Sequence, residues 1–151
     1  IIEILYILTM FSFFTQNSIN KISFEDLQYA IRYPEQFIII NTLSVNEQDC
    51  LIPNTVKYTN EEEIINNMIS MYDLKSKHII IYGKNANDES SEKKYQQIQK
   101  LGFLYVFLYS GGLFEWLLLQ DIYGKEEFPT TTYTLDLLKY KHARTFNGRL
   151  Q

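Results

Sequence analysis

The sequence is poor in the residues that usually advertise chemistry. Among 151 residues there is one cysteine, Cys50, and there are two histidines, His78 and His142. A single thiol excludes an intrachain disulfide and any zinc cluster built from cysteines, and it suggests a reducing setting, read here as cytoplasmic. The histidines stand far apart and give no metal-ligand spacing, so neither a metal nor another cofactor is expected. Three prolines and six glycines are too few for long disordered stretches. The formal net charge of −4 is too mild to call for nucleic acid or another polyanion as partner. No apolar run reaches the ~20 residues of a membrane span. The strongest, residues 1–14, is interrupted by Glu3 and lacks the basic start and small-residue cleavage site of a signal peptide. Residues 1–19 are therefore expected to form a packed helical segment, buried on their own domain or against a second copy, and not to bind membranes. The chain does not begin with methionine, which reads as a fragment or a processed form, with Met10 a candidate start.

What the sequence does have is apolar and aromatic mass: 46% hydrophobic residues, with 12 tyrosines and 10 phenylalanines, enough for one core in a chain of this length. Its organising stretch runs from His78 to Trp116. Ile79–Tyr82 and Tyr105–Tyr109 are continuous β-branched or aromatic runs, short enough for strands buried on both faces. Between them a helix carries Tyr95, Ile98 and Leu101 on one stripe and closes at Gly102, with Phe103 packing back. Strand, helix and strand in this order predict parallel neighbours joined by a right-handed crossover. The loop Gly83–Ser91 then falls at the carboxyl end of the sheet, where ligands usually bind.

The flanks continue the alternation. Ser23 with Asp26 forms a capping-box start for a helix over about 24–33 that Pro34 ends, and Phe37–Ile40 is a third buried strand. Thr55–Tyr58 reads as a short fourth strand. Asn60, with acids at 61, 62 and 63, starts a helix whose core face is Ile64, Ile65, Met68, Ile69 and Tyr72. Ser110 is placed to cap a helix from Gly111 to Tyr123 that is apolar almost all round, either deeply buried, with Trp116 against the sheet, or facing another subunit. Phe128–Thr132 opens a last short helix with Leu135 and Leu138 inward. The fold class is α/β, a mostly parallel central sheet with helices on both faces.

The order strand, polar loop, helix ending in Gly102-Phe103, strand, then Gly111-Gly112 with Trp116 four residues on resembles the catalytic half of a rhodanese-like domain. Ile22–Leu27, Phe37–Leu43 and Ile52–Thr55 resemble that family's entry helix, the strand that usually ends in Asp-Val-Arg, and the His-Ile-Pro-Gly-Ala turn. The resemblance spans about residues 20–124, leaving 125–151 as a helical extension with a basic tail of Lys139, Lys141, Arg144 and Arg149. It departs from the family at the chemistry. The nucleophilic cysteine of a rhodanese follows the strand directly, where this chain has Gly83, and the arginine of the longer phosphatase-type loop falls on Glu89. Asn41 and Leu43 stand for the Asp and Arg that close the earlier strand, and Leu51 for the motif histidine. The resemblance thus implies an inactive member, because sulfur transfer passes through a thiolate.

The degenerate loop is Gly83, Lys84, Asn85, Ala86, Asn87, Asp88, Glu89, Ser90 and Ser91. Read functionally it is an anion cradle at a helix N-terminus, with Lys84 adding charge. Read structurally, Asp88, Ser90 or Ser91 is the N-cap, and the acids fill the positive helix end themselves. The structural reading is preferred, because Asp88 and Glu89 would repel an anion. Proton-transfer chemistry on these acids lacks a partner nearby. Cys50 flanked by apolar residues reads as a buried hydrophobe, Gly111-Gly112 as a tight packing point, and the basic tail as a solvated end. The expected function is a noncatalytic protein-interaction or regulatory module working through the loops Gly83–Ser91 and Asn41–Asp49, with an unidentified protein partner or a second copy. The alternative is a divergent enzyme acting on a small anionic substrate at the same loop without a thiol.

Overall fold

The computed structural model describes residues 2–5 and 18–146. Most of the expected N-terminal packed segment, residue 1 and residues 6–17, lies outside the described residues. Residues 2–5 are helical, with Ile2, Ile4 and Leu5 exposed on the chain.

From residue 18 onward the elements alternate: α1 Phe24–Arg32, β1 Phe37–Asn41, α2 Tyr58–Ser70, β2 His78–Tyr82, α3 Glu89–Lys100, β3 Val106–Tyr109 and α4 Gly112–Tyr123. The strands form one sheet in the order β1-β2-β3. Both pairs are parallel, in registers that set Ile39 opposite Ile80 and Ile81 opposite Leu108. This is the predicted α/β architecture. Each strand sends alternate residues to opposite faces, so the continuous apolar runs feed two cores at once. Ile39, Ile80, Tyr82 and Tyr109 pack with Leu27 and Ala30 of α1 and with Leu113, Trp116 and Leu117 of α4. Ile40, Ile79, Ile81 and Leu108 pack with Ile65 of α2 and with Tyr95 and Ile98 of α3. Helices therefore cover both faces.

Local chemistry sets most boundaries. Ser23 and Asp26 make the full capping box of α1, and Gly102 takes a φ of +102° at the end of α3, the left-handed turn that lets Phe103 fold back into the core. Several expectations fail for identifiable reasons. The segment Thr55–Tyr58 forms only a bridge, Thr55 beside Ile39, because α2 begins at Tyr58 with Lys57 in the cap position rather than at Asn60. The core face of that helix is otherwise as expected, with Ile65 buried and Met68 and Ile69 half-buried against the same core. Tyr72 lies beyond the helix in a left-handed conformation, 92% exposed, and so leaves the stripe. Leu101, also outside its helix, is exposed as well.

Ser110 caps nothing. Gly111 is the cap residue of α4 and supplies no side-chain bond. The helix N–H groups of Leu113 and Phe114 instead donate to the carbonyls of Gly83 and Lys84 at 2.9 Å each. The expected helix after Phe128 is absent, and Leu135 and Leu138 point outward. That segment is held open by bonds to its neighbours: Trp116 Nε1 donates to Pro129 O at 2.8 Å, Gln120 Nε2 to Phe128 O at 2.7 Å, and Thr131 N to Leu51 O at 2.8 Å. Carbonyls and amides bound sideways cannot also form a helical ladder. A 3-10 turn follows at Leu137–Tyr140, and Phe128 and Tyr140 are the residues that turn inward.

Candidate functional site at the carboxyl end of the sheet

Parallel strands deliver their exit loops to one end of the sheet, and two of these loops meet there. Gly83, buried at the end of β2, opens the first loop. Asp88 is the N-cap of α3 and its carboxylate is spoken for: Oδ1 accepts from Ser90 N at 3.0 Å and from Ser90 Oγ at 2.6 Å, and Oδ2 accepts from Lys84 N at 2.9 Å. The loop amides therefore converge on an anion, and the anion is the chain's own. A methyl group built on Gly83 would stand 2.6 Å from Asp88 Oδ2 and 3.1 Å from both Thr42 Oγ1 and Ser91 Cβ. The room a side chain at position 83 would need is filled from the other side of the loop.

The remaining loop residues divide by role. Ser91 is buried and donates from Oγ to Asp88 O at 2.9 Å. Asn85 folds the loop, accepting at Oδ1 from Asn87 N at 3.0 Å. Ala86 and Asn87 form the exposed outer bend. Glu89 also faces outward, its carboxylate 84% exposed and 4.0 Å from Lys93 Nζ, so the acid beside Gly83 is Asp88 and not Glu89. Gly112 closes the loop from behind. Its φ is +69°, and a Cβ there would lie 2.8 Å from Asn85 N and from Gly83 O, which accounts for the second glycine of the pair.

The second loop leaves β1 at Asn41, which is buried and pairs with Gln48 through both amide groups, Asn41 Nδ2 to Gln48 Oε1 at 3.0 Å and Gln48 Nε2 to Asn41 Oδ1 at 2.8 Å. This closed pair holds the 3-10 turn Val45–Glu47 so that Glu47 Oε2 meets Lys84 Nζ at 3.0 Å. The cation offered by Lys84 is thereby paired with a carboxylate. Partial burial opposes ionisation of Glu47, but hydrogen bonds from Lys84 and Ser44 and the charges of Lys84 and Lys139 outweigh it and hold its pKa below the ordinary value of 4.5. A lowered carboxylate pKa stabilises the fold in full above the ordinary value and loses that contribution as pH falls through the lowered one. Glu47→Gln should thus be less stable than the native chain at pH 7, with the gap closing below about pH 4.5, as followed by denaturant unfolding at stepped pH.

Between the two loops lies a hollow of about 370 Å³, lined by Thr42, Ser44, Glu47, Lys84, Asp88 and Ser90 and walled on one side by Lys141–Ala143. Sequence reading found the first loop but passed over Thr42, Ser44, Glu47 and Gln48 individually. It also missed Tyr140, whose carbonyl accepts from Asn85 Nδ2 at 3.0 Å. These partners are distant in sequence and carry no local periodicity; the polar Asn41 ending an apolar strand is the one signal that a buried amide pair was needed. Cys50 is buried, its Sγ 3.4 Å from Thr132 O, outside the lining of the hollow. Tyr82 lies beneath. Its hydroxyl accepts from Ile52 N at 3.2 Å and stands 2.9 Å from Thr55 Oγ1; burial raises its pKa despite these bonds. Among the described residues no group of three His, Cys, Asp or Glu side chains is placed to hold a metal ion, and no helix is long and apolar enough to cross a membrane.

A parallel sheet with helices on both faces, two exit loops meeting over Gly83 and a glycine pair packed behind them define the class. The family model for the rhodanese-like domain matches residues 25–119, and the chain belongs to that family. Among solved structures it is similar to the Alr3790 protein from Anabaena sp., with a TM-score of 0.50 and 20% identity over 76% of this chain and 95% of that one. It is also similar to the BH2092 protein from Bacillus halodurans, with a TM-score of 0.53 and 18% identity over 88% of this chain and 98% of that one. At these identities the likeness establishes the fold. No curated protein matches the chain.

Proposed function

We propose that this rhodanese-like domain is a noncatalytic binding or regulatory module whose contact surface is built from the loops Asn41–Asp49 and Gly83–Ser91. The observation that carries the reading is the Asp88 carboxylate seated among the loop amides, 2.9 Å from Lys84 N. A cup that stabilises a thiolate or persulfide in this family would need those N–H groups free and a sulfur at position 83, and glycine offers no nucleophile. The same carboxylate argues against a small anionic substrate, since like charges repel at this range and Lys84 is already paired with Glu47. The module reading expects no thiocyanate from thiosulfate and cyanide, and no hydrolysis of an aryl phosphate, above the rate without protein. Turnover that disappears on changing Asp88 or Cys50 would replace this reading with the enzyme.

Gly83→Cys alone should stay equally silent in the thiocyanate assay. Its Cβ meets Asp88 Oδ2 at 2.6 Å, and a thiolate beside a carboxylate has its pKa raised, which lowers the reactive fraction at neutral pH. Thiocyanate production by this single variant would show a loop still competent as a cradle.

A further inference from the structure

After α4 the chain returns to the loop end of the sheet. Tyr140, in the turn Leu137–Tyr140, is fully buried, in the core cluster that contains Leu43, Cys50, Tyr82 and Leu113. Its backbone carbonyl takes the Asn85 Nδ2 hydrogen bond, and the next residues, Lys141–Ala143, wall the hollow while their own side chains stay exposed. The strap from residue 137 to 146 reads LLKYKHARTF, with Lys139, Lys141 and Arg144 and no acid. The loops it lies against carry Glu47, Asp49 and Asp88, with Lys84 as their one lining cation. Lys139 adds to the field that keeps Glu47 ionised and sits 5.0 Å from the centre of the Tyr140 ring. The strap thus meets the loops as a short peptide would: one aromatic anchor in an apolar slot, one backbone carbonyl on an amide donor, and one cation, Lys139, within the electrostatic reach of Glu47 and Asp49.

We infer that the loop end of this domain is a docking groove for a basic peptide segment carrying a tyrosine between lysines, and that the chain's own strap occupies that groove in cis. The inference rests on the module reading above and names the partner chemistry. Tethering gives the strap an effective concentration on the order of millimolar, so a partner segment engages only where the strap is loosened or the partner is locally concentrated. The groove is regulated by the same contacts that define its ligand.

The test uses the full chain and a fluorescein-labelled peptide of residues 137–146, with fluorescence anisotropy as readout. The native chain should bind it weakly. Tyr140→Ala, which empties the slot but leaves the loops intact, should bind it at least tenfold more tightly, and the peptide should raise the melting temperature of this variant without moving that of the native chain. A peptide with Lys139 and Lys141 both changed to Glu, or with Tyr140 changed to Ala, should lose at least tenfold in affinity for it. Should Tyr140→Ala fail to fold, Lys139→Glu, at an exposed position of the strap, supplies the loosened chain and should show the same ordering of peptides. Equal affinity of native and loosened chains, equal binding of the charge-reversed peptide, or no binding to either chain overturns the inference. None of these results bears on the thiocyanate and aryl phosphate assays, so a failed groove and a failed module reading are told apart.

Discussion

Replacing Trp116 with alanine is expected to cost the domain about 3–5 kcal/mol, the range for truncating a buried large aromatic, as read from denaturant unfolding. The ring is fully buried on the core face of α4. It stands edge-on to Phe128 at 5.1 Å and to Tyr109 at 6.3 Å, a geometry that adds attraction beyond the area removed from water. Its Nε1 donates to Pro129 O at 2.8 Å, so the truncation also strands a carbonyl. Against the ~5–15 kcal/mol that holds an ordinary domain folded, this single change removes a large share of the margin. Trp116→Phe separates the two contributions: it keeps most of the packing and loses the donor, which is worth about 1 kcal/mol in a typical case. A loss below about 1 kcal/mol for the alanine variant would place the side chain outside the core.

The other large effect belongs to Gly112→Ala. An L-residue at its φ of +69° costs on the order of 1–3 kcal/mol for conformation alone, and the new Cβ would press at 2.8 Å on Asn85 N and Gly83 O, backbone atoms that cannot rotate away. The helix N-terminus must back off, which breaks the bonds from Leu113 N and Phe114 N to the loop carbonyls. Gly124→Ala is the control. It sits at φ 99° and ψ 166°, an extended positive-φ region almost confined to glycine, so it carries a conformational cost of its own, but nothing lies within 4 Å of the added carbon. Gly112→Ala should deprotect the amides of Leu113 and Phe114 in hydrogen exchange, whereas Gly124→Ala should leave them protected. Unchanged protection of Leu113 and Phe114 in Gly112→Ala would mean the loop has room behind it.

How much of this was legible in the chain depends on how local the cause is. Ile38–Ile40, Ile79–Ile81 and the run through Leu108 announce buried strands because a strand covered on both faces needs apolar residues at every position. Gly102 and the Ser23–Asp26 box announce helix ends because the chemistry sits within four residues. The site was legible in outline: a cap from Asp88, Ser90 or Ser91 followed from their place before a helix, and the structure gives the position to Asp88. That both its oxygens would be consumed by Ser90 and Lys84 did not follow, since it depends on the loop closing. The failures at Ser110, Leu135 and Tyr72 share one origin. Each looked right by helical spacing, and each was overruled by a partner far away in sequence or by a backbone turn: Gly83 O for the start of α4, the Trp116 and Gln120 bonds for the segment before Leu135, and positive φ for Tyr72. Tyr140 had no local signal, because the core it joins is made by residues distant in sequence, Leu43, Cys50, Tyr82 and Leu113 among them, and its carbonyl is held by Asn85.

The Asp88 carboxylate also bears on how such a loop changes over generations. A side chain gained at position 83 alone meets Oδ2 at 2.6 Å, while losing the carboxylate at 88 alone leaves the N–H groups of Lys84 and Ser90 without their acceptor. Neither first step toward a thiol-bearing loop is neutral, and the benefit arrives only when both are in place. A loop filled from within in this way works as a ratchet, because each single step toward a thiol at position 83 crosses a less stable intermediate.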